Sequence, residues 1–234
     1  MPLSDTLKHS LKLPKSNLCA VTLLGNLVAT PDIRYRANPA TAVTEITLAT
    51  STKWLDKKTN TYKEWTSFHK AKVEGELVEQ ALLQANKGDI ILLHGYLSNI
   101  KLNNDEEKSQ GNAIVHANFV QRFPKGYTKA INQVHCSAQL ISSPKKMFTE
   151  KNKTISQANI VIHQHIYNTD KQAWQTVSIE RAIHAWGKQA EYLTEYGEID
   201  DELMLEGKLN YTSNIKKEQF IEINSLHLFK GTKY

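Results

Sequence analysis

Residues 46–79 read ITLATSTKWLDKKTNTYKEWTSFHKAKVEGELVE. Apolar and polar residues alternate through Ile46 and Leu48, and again from Phe68 to Val73, which is the period-two pattern of strands with one buried face. Between the two runs lies KKTNT (57–61), whose Asn and small polar residues suit a hairpin tip. After Gly75 the pattern changes, and ELVEQALLQANKG (76–88) predicts a short helix closed by Gly88. Rings and cations mix on the hairpin: Trp54, Tyr62, Trp65 and Phe68 lie among Lys53, Lys57, Lys58 and Lys63.

On a strand, residues two apart share a face. Phe68 then groups with Lys70 and Lys72 on one side and with Thr66 and Glu64 on the other. Trp54 groups with Thr52 and Thr50. Trp65 has the opposite parity from Phe68, together with His69 and Val73, and is expected in the core or at a subunit contact. Phe68 is the expected partner ring of Trp54 across the hairpin.

Working outward, the same order of segments occurs twice. LVATP (27–31) precedes the first hairpin, and LISSP (140–144) precedes SQANIVIHQHIY (156–167). A second helical stretch, KQAEYLTEYG (188–197), follows AWGKQAE (185–191). Each copy closes on two alternating runs, DIILLHGYLSN and AIVHANFVQRF in the first, ELMLEGKLNY and EQFIEINSLHLF in the second. Each copy therefore reads β-β-β-α-β-β. Five strands and one helix in about 105 residues is the order of the OB-fold barrel rather than of a sandwich, which needs about seven strands. The expected class is all-β with one short helix per domain. Its expected layout is an N-terminal lead (1–16), a first OB-fold barrel (17–122), a linker (123–131) and a second barrel (132–231).

The 234 residues carry a formal net charge of +5 and 40% hydrophobic residues, as an ordinary folded chain does. Residues 1–130 hold 17 Lys and Arg against 12 Asp and Glu, so the whole excess lies in the first copy. No run approaches the roughly 18 apolar residues of a spanning helix, and the N-terminus lacks the apolar stretch of a signal peptide, so a cytoplasmic location is expected. Cys19 and Cys136 each sit in an apolar alternating stretch and are expected as buried thiols. There is no G-x-x-x-x-G-K-[ST], H-E-x-x-H, C-x-x-C or G-x-S-x-G, and His163 with His165 lack a third ligand nearby. Neither catalysis, nor a cofactor, nor a metal is expected.

VTLLGNLVATPDIRY (21–35), ITLATSTKWLDKKT (46–59) and FHKAKVEGELVE (68–79) resemble the bacterial single-stranded DNA-binding protein family. The second copy resembles it more faintly, through AWGKQAEYL (185–193) and LMLEGKLNY (203–211), as a diverged duplicate. The resemblance implies sequence-tolerant binding of single-stranded DNA in replication, recombination and repair. It also implies pairing of two-barrel chains into dimers with four barrels. Trp54 takes the place of the family's first stacking tryptophan, Phe68 of its second, and Arg34 with Tyr35 that of its Arg-Tyr pair. Lys70 stands for an arginine. Glu74 replaces a phenylalanine, and Leu102 stands where a tryptophan often lies. In the second copy Phe148 lies near the Arg-Tyr position without its arginine, Tyr167 takes the place of the first tryptophan and Trp186 that of the phenylalanine, whereas Glu180 falls at the second tryptophan. The chain ends SLHLFKGTKY, without the family's acidic tail, so replication proteins are not expected to be recruited through such a tail.

The residues expected on single-stranded DNA are thus Trp54, Phe68, Lys70, Lys72, Arg34, Tyr35, Arg36, Lys53, Lys57, Lys58, Thr52 and Lys101 in the first copy. Phe148, Tyr167, Trp174 and Trp186 are expected in the second, where Trp174, Trp186 and Tyr167 share a parity that makes either a second platform or a face for a partner barrel. A rival reading is an assembly module resembling primosomal replication protein N. Single-stranded RNA is a further alternative ligand.

Overall fold

The computed structural model describes residues 16–37, 39–99, 113–149, 152–168, 172–212 and 217–230. The first half comprises β1 (Cys19–Leu27), β2 (Arg34–Arg36), β3 (Thr41–Asp56), β4 (Thr61–Glu74), α1 (Glu76–Ala81), β5 (Ile90–Asn99) and β6 (Ala113–Phe123). The second repeats it with β7 (Ile131–Leu140), β8 (Lys145–Phe148), β9 (Thr154–Asn168), β10 (Ala173–Trp186), α2 (Lys188–Tyr196), β11 (Glu202–Tyr211) and β12 (Gln219–Phe229).

Each half closes on itself. In the first, β1 pairs with both β3 and β5, and β4 pairs in parallel with β6, giving the ring β1-β3-β4-β6-β5. In the second, β7 pairs with β9 and β11, and β10 runs parallel to β12. These are two OB-fold barrels. Each half holds one more strand than the sequence pattern predicts: β2 and β8 flank β3 and β9 from outside the ring. At three and four residues they are too short for alternation to reveal. Helix α1 ends at Ala81, where Leu82 and Leu83 both turn their N–H groups onto the Val78 carbonyl, well before the expected Gly88. Among the described residues, no helix is long and apolar enough to cross a membrane.

The two halves share backbone irregularities. Gly75 and Gly187, at φ 65° and 56°, each turn the chain from a long strand into a helix in a conformation that favours glycine. β5 and β11 each carry a register shift, at His94/Gly95 and at Glu206/Gly207.

The two barrels share one sheet through β1 and β7, which pair antiparallel from Cys19↔Cys136 to Leu24↔Ile131. Their buried apolar residues form one contiguous cluster, including Val21, Leu23, Val134 and Cys136. Both cysteines are free thiols, Cys136 buried and Cys19 half-buried. Polar side chains cross the seam in both directions. His69, fully buried on β4, meets Thr50 Oγ1 at 2.8 Å and, from the other half, Asn132 Nδ2 and Tyr211 Oη, each at 3.4 Å. Arg181 on β10 donates to the Ser98 carbonyl (2.7 Å) and to Gln219 Oε1 (3.2 Å), and Gln164 donates to the Leu97 carbonyl (3.1 Å).

Burial pushes the His69 imidazole down to about 4, so it is neutral at pH 7. A folded value below the unfolded one near 6.5 means that the unfolded chain takes up the proton first, and stability falls as pH drops from about 6.5 towards 4. Thermal unfolding at pH 5 should therefore show a loss of about 2 kcal/mol from this group relative to pH 7. His69→Gln should remove most of that dependence, and an unchanged pH profile in the variant would refute the assignment.

Candidate nucleic-acid interface

The β3–β4 hairpin outruns its barrel. On β3 the even-numbered residues from Ala42 to Thr50 are buried, and on β4 His69, Ala71 and Val73 are fully buried. Beyond Thr50 and before Thr66 the same alternation continues with no core behind it. Trp54, Leu55, Tyr62 and Trp65 are consequently all exposed. This corrects the core expectation for Trp65, which is 61% exposed. Its parity is that of His69, but the wall has ended before the ring is reached.

Cross-strand register sorts the rings by face, because directly opposed residues project to the same side. Thr52 stands opposite Trp65 and Trp54 opposite Lys63, whereas Phe68 stands opposite Ala49. Trp54 and Trp65 therefore share one face of the hairpin, and Phe68 lies on the other with Lys53, Tyr62, Lys70 and Lys72. The expected pairing of Trp54 with Phe68 is replaced by Trp54 with Trp65. Phe68 itself is 53% exposed between cations, as its spacing predicts. A ring not anticipated from sequence joins them: Tyr127, between β6 and β7, is 77% exposed and lies under Lys53 Nζ at 4.9 Å. No periodicity marks that segment.

The cations fall into two groups. Lys53 reaches Glu64 at 3.5 Å, Lys63 pairs with Asp56, and Arg34 with Asp32 at 2.8 Å, all at exposed sites where a pair contributes little and exchanges readily. Among the described residues, Lys57, Lys58 and Lys70 have no carboxylate within ion-pair distance. Arg36 and Lys72 instead converge on Glu74, Lys72 at 2.8 Å, with His116 Nε2 on the second carboxylate oxygen at 3.2 Å. Burial, then Lys72 and Arg36, push His116 down to about 4, so it stands beside Glu74 uncharged at pH 7. Tyr96 stacks on the His116 ring at 5.1 Å. Tyr35 pairs with Ala42 and is 59% exposed at the barrel edge. Lys101 lies outside the described residues.

In the second barrel Trp174 and Tyr167 stand directly opposite each other, on the face that also carries His165, Glu180 and Trp186. His165 stacks on Trp174 with centroids 5.0 Å apart and planes 6° apart. Trp186 is 39% and Phe148 62% exposed, the latter with Lys146 Nζ 5.5 Å from its ring. Register moves one equivalence. Ala49 pairs with Asn26 and Val161 with Gln139, each partner preceding the matched leucines Leu27 and Leu140. Counting on from there, Ile166 takes the position of Trp54, one residue before Tyr167. By the offset between Gly75 and Gly187, Glu180 matches Phe68, and Trp186 matches Glu74.

Residues 18–123 match the model of the Single-strand binding protein family. Two solved structures are similar over nearly the whole length. The single-stranded DNA binding protein from Thermus aquaticus shares 23% identity over 93% of this chain and 95% of its own, with a TM-score of 0.71. A deletion variant of that protein shares 24% identity over 92% and 96%, with a TM-score of 0.72. PriB from Ralstonia solanacearum is similar over 43% of this chain and 99% of its own, at 18% identity and a TM-score of 0.35. The barrel that bears the aromatic, lysine-lined hairpin, residues 18–123, is thus the part of the chain that matches the single-strand binding protein family model, and the second barrel repeats its fold.

Proposed function

We propose that this chain binds single-stranded DNA with little sequence preference, chiefly through its first barrel. One observation carries this reading: four rings, Trp54, Tyr62, Trp65 and Phe68, stand exposed on a lysine-bearing hairpin with no apolar surface among the described residues covering them. An exposed ring stacks on any base, because every base has a π-face, and each such contact is worth about 1–3 kcal/mol. Lys53, Lys57, Lys58, Lys70 and Arg34 meet the phosphates, which carry no sequence information. Arg36 and Lys72 border the Phe68 side of the hairpin, Thr52 the Trp54 side, and Tyr35 the barrel edge. Trp174, Trp186, Tyr167 and Phe148 supply a weaker second platform, weakened by Glu180 at the position of Phe68.

The binding unit is a pair of chains with four barrels, acting where strands are separated in replication, recombination or repair. Light scattering of the free protein at twice the chain mass is the expected result for the pair.

Titration with oligo-dT should quench tryptophan fluorescence, and log K should fall with log salt at a slope of about −2 to −4 per chain, for three to five phosphate contacts. An intact circular dichroism spectrum without quenching at low salt would overturn the reading. Equal affinity for oligo-rU would extend it to RNA.

Trp54→Ala, Trp65→Ala and Phe68→Ala should each weaken binding by about 1–3 kcal/mol with little change in melting temperature, since none of the three fills the core. Glu180→Ala should leave affinity unchanged or raise it, and a loss there would refute the placement of the strand over the second barrel.

A further inference from the structure

The outer face of the first barrel holds an anion at the point where its cations meet. Glu74 is the last residue of β4, and its side chain is 24% exposed. Its three partners come from three strands: Arg36 from β2, Lys72 from β4 itself and His116 from β6. Two of them share Oε1, and His116 takes Oε2. Donors from separate strands closing on two oxygens of one anion is also how a phosphate is held. Phe68 and Lys70 lie on the same strand and the same face, so the clasp is in line with the stacking ring.

We propose that Glu74 is a built-in competitor for phosphate: its carboxylate occupies the place where Arg36, Lys72 and His116 would hold a backbone phosphate of the single strand. The inference rests on the single-strand reading above and names the residue that sets its strength. While the clasp is closed, Arg36 and Lys72 are largely neutralised by an internal anion, and a strand passing over them meets a net charge far below their number. Opening it frees them for a phosphate but leaves the carboxylate close to that phosphate. Either way the first barrel binds more weakly, and with a shallower salt dependence, than its count of cations allows.

The second barrel shows that the fold does not require this carboxylate. Trp186 occupies the matching position, and His184 and Glu222 replace Lys72 and His116. There His184 stacks on Phe220 at 3.9 Å and Glu222 pairs with Lys208 at 3.1 Å, so no group of cations is gathered. The anion is present only in the barrel that has cations to restrain.

Glu74→Gln preserves shape and removes the charge. In oligo-dT titrations across a salt series, this variant should bind about tenfold tighter at low salt, with a slope steeper by about 1.4, the release of two phosphate contacts. Lys72→Gln should cost more affinity in the Glu74→Gln background than in the wild type. Should Glu74→Gln fail to fold, two single variants test the idea without it: Lys70→Gln should flatten the wild-type slope by about 0.7, and Lys72→Gln by clearly less. Wild-type binding with a Glu74→Gln variant that is folded and no tighter, or a Lys72→Gln variant as costly as Lys70→Gln, overturns this inference alone. A wild-type chain that does not bind at low salt overturns the single-strand reading and this inference with it.

Discussion

The pairing of β1 with β7 is the constraint on which the rest of the molecule depends. Val21 and Val134 face each other at its centre, both without exposed surface. Each strand already closes its own barrel, so the shared ladder removes the two edges that would otherwise present unpaired N–H and C=O groups. The side chains that cross this seam are chosen for burial in one arrangement only. Arg181 on β10 occupies the place that His69 holds on β4, and each reaches into the opposite half. Burial lowers the Arg181 guanidinium to about 10, so it stays charged at pH 7. A buried charge is tolerable when its donors are satisfied, and one of its acceptors, the Ser98 carbonyl, belongs to the other barrel. Separating the halves would strand that charge, so the contact couples the two barrels.

From this shared base a hairpin projects beyond its barrel. β3 and β4 pair along their whole length, from Val43↔Glu74 to Asp56↔Thr61, although only the lower part has a core beneath it. The outer part is held by its own ladder, by the Ser51–Thr66 hydroxyl pair at 2.7 Å and by ion pairs such as Lys53–Glu64. Among the described residues its rings meet no apolar surface, because the barrel wall ends at Thr50 and Ser67. Exposed aromatic surface normally disfavours a monomer. Here it is retained on an element whose backbone is fully paired, so the rings are presented at a fixed spacing and little ordering is needed when a ligand arrives.

Alternation made most of this legible from sequence, because it reports which residues face a core. It reported an all-β chain of two barrels with one helix each, and it marked the strip of Phe68, which is exposed. It failed where its physical cause stops. Trp65 keeps the parity of His69, but period-two reasoning has no term for a strand that runs past its barrel, and the same gap separated Trp54 from Trp65. Tyr167 was aligned with Trp54 by residue type, whereas the ladder between β7 and β9 puts Ile166 there. β2 and β8 are too short to alternate, and Tyr127 sits in a segment without period. The Glu74 clasp depends on a parallel contact between β4 and β6, Lys72 beside His116, which joins residues far apart in sequence.

The two barrels diverged along a line that physics draws between backbone and surface. Positions that fix the path of the chain persist in both: Gly75 with Gly187, and the register shifts at His94/Gly95 and Glu206/Gly207. At Gly95 and Gly207 a Cβ would stand 2.1 Å and 2.4 Å from the carbonyl oxygens of His116 and Glu222, so any side chain would push the neighbouring strand away. Outward positions are under no such limit, and they changed freely: Phe68 against Glu180, Lys72 against His184, His116 against Glu222. A fold of this kind can therefore change the charge of one outer face while keeping its barrel intact. The second half supports the first whatever its own outer face does, because β7, Asn132 and Tyr211 complete the environment of His69, a core residue at the base of the first hairpin.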